Sequence, residues 1–329
     1  MAQGNGVILY SGDLQNPTFK DASLPRHRHP RSFHKDGSKR RFIMAACFIV
    51  SLLLITAVIV GPTLAFLTSG SSNRPLKVAA FNIQHFGRSK MSDTTVANHI
   101  TEILVRYDVI LIQEVRDSTG SSLKDLWSRL NKTDDWGFVA SAPIGRTTYK
   151  EQYVFYYRLK LAHLLSTYQT PDSSDVYERE PFSVEFEYFS VTPGTKKQVV
   201  LMALHSRPTD AFDELDHLPT SIKSAASHFK GAGGVVAMGD FNADCNYVSS
   251  TKQLQLEIFK DNSEFTSLIP DSADTTSGDS NCAYDRIIVF GHDIRARDAK
   301  VYNYQKAMGL SDDATGDISD HYPVEFQLH

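Results

Sequence analysis

Beyond residue 75 the chain reads as short apolar runs separated by polar turns. Residues 78–83, 109–115, 153–157, 182–188, 199–204, 235–238 and 286–290 are rich in Val, Ile, Leu, Tyr and Phe and too short for stable helices. They predict sheet strands, several buried on both faces. A different period intervenes between the first two. Val96, Ile100, Ile103, Leu104 and Tyr107 recur at helical spacing and predict a helix over 94–107 with one core face. Leu123, Leu126, Trp127 and Leu130 do the same for 121–131, and a third helix is expected over 213–229. One-sided helices interleaved with such strands predict an α/β domain, α+β in type, with helices packed outside sheets.

The first 75 residues follow another pattern. Residues 42–67 are 26 positions without a charged side chain, long enough to cross a bilayer with some tilt. Eight Lys and Arg precede this stretch, and the next basic residues are Arg74 and Lys77. That asymmetry predicts a signal anchor whose N-terminus stays in the cytoplasm while everything beyond residue 67 is translocated. The apolar stretch exceeds that of an ordinary signal peptide, although small residues at 68–70 leave cleavage and secretion as the alternative. Residues 1–41, basic and without periodicity, are expected to form a disordered cytoplasmic tail, and 68–75 a stalk. The domain plan is therefore 1–41, 42–67, 68–75 and 76–329. Cys245 and Cys282 are the two cysteines of the translocated part and predict one disulfide there, with two free thiols as the alternative. Asn131 opens an Asn-Lys-Thr glycosylation sequon on the same side.

Composition narrows the classes. With 41% hydrophobic and 22% charged residues the chain is neither collagen-like, coiled-coil nor wholly disordered. Three cysteines and no C-x-x-C pair exclude a disulfide-built scaffold and a cysteine zinc site. Residues 1–74 hold nine Lys/Arg against three Asp/Glu, whereas the remainder holds 25 against 35. Nucleic acid bound by the larger part is thus held by local arginines and metal ions rather than by a broad basic surface.

The candidate chemistry lies at strand ends. Asn82, Gln113, Glu114, His205, Asp240, Asn242, Asp285, Asp320 and His321 all stand at or just beyond apolar runs. Carboxylates and amides without thiols form a hard, oxygen-rich set that suits Mg2+, Mn2+ or Ca2+ rather than zinc. Two histidines beside them supply acid and base near neutral pH. No G-x-x-x-x-G-K-[ST] loop or G-x-S-x-G elbow is present, which argues against P-loop and acyl-enzyme chemistry and leaves metal-assisted phosphoester hydrolysis.

The segments KVAAFNIQHFG, YDVILIQEVRD, GRTTYKEQY, ALHSRP, GDFNADCNYV, LIPDSADTT, NCAYDRI and SDHYPVE, in that order, resemble the deoxyribonuclease I family. GDFN and SDH alone would mark only the wider superfamily of exonucleases, endonucleases and phosphatases. The resemblance implies a four-layer sandwich of two packed β-sheets flanked by helices. It implies a monomeric endonuclease that cuts DNA with little sequence specificity to 5′-phosphorylated ends. Matched position by position, His205 is the acid and His321 the base, oriented by Glu151 and Asp285 respectively. Glu114, Asn82, Asp240, Asn242 and Asp320 would surround Mg2+ (or Mn2+) and the scissile phosphate. Arg116 and Tyr149 match positions at the minor groove, and Arg179 a phosphate contact. Structural Ca2+ is implied at Asp274 and Thr276, and at a second place formed by Asp172, Asp175 and Glu180, where the C-x-x-C of some relatives is missing. Gln84 stands where relatives can carry arginine. FVASAPI at 138–144 gives no reason to expect actin binding. Two rivals remain within reach of the same residues: a phospholipid-headgroup phosphodiesterase of the superfamily and a catalytically silent DNA-binding relative.

Overall fold

The alternation of side chains along the strands divides the core into three apolar layers. Val78 and Ala80 of β2 (Leu76–Asn82) and Val109 and Leu111 of β3 (Val109–Val115) share one cluster with Val199 and Leu201 of β8 (Lys196–Ala203) and with Val236 and Met238 of β9 (Val235–Asp240). Their neighbours Ala79, Phe81, Ile110 and Ile112 point the other way, onto α2 (Thr94–Leu104) and α3 (Ser121–Leu130). Val200, Met202, Val235 and Ala237 likewise pack on α4 (Ala211–His228). Two sheets therefore lie face to face, each covered outside by helices, which is the expected four-layer sandwich.

This computed structural model describes residues 8–10, 74–261 and 263–329. The remaining elements are β1 (Ile8–Tyr10), β4 (Trp136–Ala140), β5 (Gln152–Arg158), β6 (Ala162–Gln169), β7 (Phe182–Phe189), β10 (Phe265–Ser267), β11 (Asp285–Phe290), β12 (Ala296–Val301) and β13 (Val324–Leu328). Short helices α1 (Arg88–Ser92), α5 (Ser250–Gln253), α6 (Tyr304–Met308) and α7 (Asp312–Ile318) complete the set. One sheet runs β1-β4-β5-β3-β2-β13-β12 and the other β10-β11-β9-β8-β7-β6. Both are mixed, because β2 pairs with β3 and β8 with β9 in parallel. The expected anchor at 42–67 and the stalk up to residue 73 lie outside the described residues. Among the described residues no helix is long and apolar enough to cross a membrane.

Register gathers the polar strand ends at one end of the sandwich. Asn82 is level with Gln113, and Asp240 with Asp285. At the opposite end Leu76 is paired with Leu328, so β2 enters the domain far from the site and leaves at it. The disulfide Cys245–Cys282 is formed, with Cα atoms 5.9 Å apart. It ties the loop after β9 to the loop before β11, a closure worth about 3–4 kcal/mol on the chain-entropy estimate.

Several local features differ from or add to the sequence expectations. Strands β4, β6, β10, β12 and β13 were not legible as apolar runs, and the first helix ends at Leu104 rather than 107. Asn131, the sequon residue, closes the turn between α3 and β4: its Nδ2 donates to Trp127 O at 3.1 Å and its Oδ1 accepts from Trp136 N at 2.9 Å. Finally, β1 pairs antiparallel with β4, Ile8 opposite Ala140. At these three residues the chain is a strand rather than part of the disordered tail expected over 1–41.

Candidate active site

Each histidine at the gathered end is held by its own buried carboxylate. His205, just beyond β8, approaches Glu151 Oε2 with Nδ1 at 2.9 Å; His321, before β13, approaches Asp285 Oδ2 with Nδ1 at 2.7 Å. Such a bond places the proton on Nδ1 in the neutral ring and leaves the Nε2 lone pair free. Both Nε2 atoms lie 3.6 Å from a single atom, Asp240 Oδ2. The two rings thus flank one carboxylate oxygen, separated by no more than twice that distance.

Asp240 is gripped from both sheets. Asn82 Nδ2 donates to its Oδ2 at 3.1 Å and to Glu114 Oε1 at 3.3 Å. Its backbone N–H donates to Gln113 Oε1 at 3.0 Å, while Gln113 Nε2 donates to Leu204 O at 2.8 Å. Fully buried Gln113 therefore fastens the ends of β8 and β9 to the end of β3. Gly239, at φ 135°, makes room for this strap: a Cβ there would collide with Leu204 O and with the Gln113 amide. The β3 ladder breaks at the same place, between Ile112 and Val115, and Glu114 adopts φ 57°. The carboxylate of Glu114 accepts from His85 N at 3.0 Å and from Arg116 Nη2 at 2.6 Å. Asn242, also at positive φ, donates from its backbone N–H to Asp240 Oδ1 and from Nδ2 to Ser206 O. Asp320, half exposed at the rim, accepts from Gln84 Nε2 at 2.7 Å.

Burial pushes the Glu151 carboxyl upward, but the hydrogen bond from His205 and the charges of His205, Arg179 and Arg116 outweigh it and bring its pKa to about 2. Burial likewise opposes the imidazolium of His321, and the charges of Asp285 and Asp240, the Asp285 hydrogen bond and Asp320 overcome it, lifting its pKa to about 10. For Glu151 the depressed value means stability that is present above the ordinary carboxyl range and lost as pH falls toward 2, roughly 3 kcal/mol by linkage. Glu151→Gln is expected to be less stable than the wild type at pH 7, with the gap little changed at pH 5 and narrowed by about half at pH 3. Urea denaturation at pH 7, 5 and 3 reads it.

The donor set fits a hard divalent cation. Asn82 Oδ1 is buried without a partner, an acceptor that a cation would satisfy. Ligand atoms of Asp240, Asp285 and His321 lie within 4.8 Å of one another. Asp285 Oδ2 is engaged by His321 but its Oδ1, like Asn82 Oδ1, is buried without a partner, and Glu114, Asp240 and Asp320 add carboxylate oxygens that already accept hydrogen bonds.

The outlying residues divide. Tyr149 is exposed on a loop, with the Arg116 guanidinium 4.2 Å from its ring centre. Arg179 is buried instead: Nε donates to His205 O at 3.0 Å and Nη2 to Ser206 O at 3.2 Å, and Glu151 lies 3.5 Å away. It braces His205 from behind rather than lying on an open phosphate surface. Asp274 Oδ1 accepts from Thr276 N and Oγ1, and Thr276 forms a bridge with His321. At the second calcium place Asp172 accepts from Val176 N and Tyr177 N, Asp175 pairs with Arg146, and the Glu180 carbonyl accepts from Gln169 Nε2. Asp172 thus caps its own turn, while Asp175 is tied to the β4–β5 loop through Arg146.

A profile described as the Endonuclease/Exonuclease/phosphatase family matches residues 79–321. Deoxyribonuclease-1-like 2 of Mus musculus is 41% identical over 262 residues, 77% of this chain and 92% of the relative. Deoxyribonuclease-1 of Bos taurus is 42% identical over 264 residues, with the same two coverages. Among solved structures, the human Nocturnin catalytic domain with bound sulfate anion gives a TM-score of 0.54 at 15% identity, covering 78% of this chain and 94% of that one. D. rerio TDP2 complexed with single strand DNA product gives 0.53 at 14% identity, covering 77% and 98%. At such identities the likeness is one of fold, while the deoxyribonuclease relatives, at 41% and 42% identity over most of their length, show the kinship. The chain belongs to the deoxyribonuclease I family of the endonuclease/exonuclease/phosphatase superfamily.

Proposed function

We propose that this protein is a divalent-metal-dependent endodeoxyribonuclease that hydrolyses DNA with little sequence specificity and leaves 5′-phosphorylated ends. The observation that carries the reading is the convergence of two carboxylate-held imidazoles on Asp240 Oδ2. Mg2+ or Mn2+ would be held by Asn82, Glu114, Asp240 and Asp320, with Asn242 fixing Asp240. Bound there, the ion would offset charge growing on the phosphate and the charges of Asp240 and Asp320 beside His321. His321 Nε2 takes a proton from the attacking water, and Asp285 stabilises the imidazolium that results. His205 Nε2 gives a proton to the departing 3′ oxygen, with Glu151 and Arg179 holding the ring in line. Arg116 and Tyr149 read groove width rather than base identity. Ca2+ at Asp274 and Thr276 would stiffen the bridge that carries His321.

Incubating the full chain with supercoiled plasmid tests this. Nicking is expected with Mg2+ or Mn2+ and none after chelation, and the new ends should accept labelled phosphate from polynucleotide kinase only after phosphatase treatment. Release of a phospholipid headgroup without nicking would favour the rival phosphodiesterase. For location we propose either an anchor at 42–67 with the catalytic domain outside the cytoplasm, or secretion after cleavage. Protease digestion of sealed vesicles bearing an N-terminally tagged chain separates an N-terminus on the far side from one paired with β4.

A further inference from the structure

One fully buried carboxylate has no part in the chemistry above. Glu214 lies in the first turn of α4, beneath the loop that carries His205. Its Oε1 accepts two backbone hydrogen bonds, from Glu178 N at 3.1 Å and from Arg207 N at 3.2 Å. Its Oε2 is buried without a partner. A buried acid with one oxygen unsatisfied is a costly way to fill space, so the position is not explained by packing.

We infer that Glu214 is a positioning residue for the His205 half of the site, a clamp that fixes the loop before β7 to the loop after β8. The two donors identify what it holds. Glu178 precedes Arg179, whose guanidinium grips the carbonyls of His205 and Ser206. Arg207 follows Ser206 directly. The clamp reaches further through the Glu178 side chain, whose Oε1 accepts from Arg146 N at 3.1 Å. Arg146 lies in the β4–β5 loop that presents Tyr149, so the clamp on Glu178 bears on both the acid histidine and the groove-contacting loop.

The charged and titratable groups around Glu214 come from every element packed on it. Tyr177, Glu178 and Arg179 face it from the loop before β7, and His205 and Arg207 from the loop after β8. Tyr153 of β5 and Arg146 feel its charge as well. Burial raises its pKa to about 7, against the two N–H bonds, Arg179 and His205, which lower it. An ionised carboxylate accepts more strongly than a neutral one, so the clamp tightens as pH rises through neutrality.

The kinetic arm of the test rests on the nuclease reading; the exchange arm does not. Glu214→Gln keeps the acceptor oxygen and the reach, whereas Glu214→Asp keeps the charge and loses the reach. At saturating metal, Glu214→Gln is expected within about twofold of the wild-type kcat. Glu214→Asp should lose about tenfold or more in kcat as His205 shifts out of line. Amide exchange, corrected for intrinsic rates, should show protection at Glu178 and Arg207 that rises with a midpoint near pH 7 in the wild type and has no midpoint in Glu214→Gln. An aspartate variant that keeps its kcat, or a glutamine variant that loses as much as the aspartate, overturns the clamp. So does an absence of exchange protection at Glu178 and Arg207 in the wild type, even if the aspartate variant does not fold. Absence of nicking by the wild type under every metal condition would instead defeat the nuclease reading and leave the exchange result standing.

Discussion

His205→Ala and His321→Ala should each lower plasmid nicking by about a hundred- to ten-thousand-fold while the protein stays folded. The magnitude is that of a positioned general acid or base. The reason both should fall is geometric: each ring points Nε2 at the same Asp240 oxygen, so neither can reach across to do the other's work. Losing either leaves a buried carboxylate, Glu151 or Asp285, without its imidazole, and Asp285 is the deeper of the two. Thermal unfolding of each variant beside the nicking rate separates lost chemistry from lost structure. Wild-type rates in either variant would remove the acid–base pair from the mechanism.

Asp240→Asn should raise the Mg2+ concentration needed for half-maximal nicking by roughly a hundredfold or more. Removing a residue that merely orients a ligand costs about ten- to a hundredfold in metal affinity, and Asp240 offers an oxygen directly to the centre of the site. The substitution keeps volume and the backbone bond to Gln113 Oε1 but removes the charge between the two rings. Direct metal titration by calorimetry, independent of DNA, should show the same weakening. An unchanged midpoint would mean that the ion sits elsewhere, closer to Glu114 and Asp320.

Strands sandwiched between layers were legible because burial on both faces leaves an unbroken apolar run: β3 spans the predicted 109–115 to the residue. Edge strands were not. β12 reads ARDAKV and lies largely exposed, and β6 is half exposed, so neither shows the apolar run that betrays a buried strand. β4, WGFVA, is buried but only five residues long and follows a turn. The site shows the same division. His205, Asp240 and His321 stood out because a potent side chain at the end of an apolar run is conspicuous. Gln113 was visible as an interruption, yet its role as a strap depends on how close the second sheet comes. Glu214 looks like any acid in a first helical turn, where such residues are common for electrostatic reasons. Arg179 is expected at a phosphate, and only tertiary packing shows it spent on two carbonyls.

The pairing of Leu76 with Leu328 puts both ends of the catalytic domain side by side at its back. Seven extended residues of β2, about 20 Å, separate that place from the reactive mouth. A resin, an affinity tag or a fused partner attached at either end therefore stands behind the domain. Beads carrying the enzyme in this way leave its mouth open to long polymers in solution.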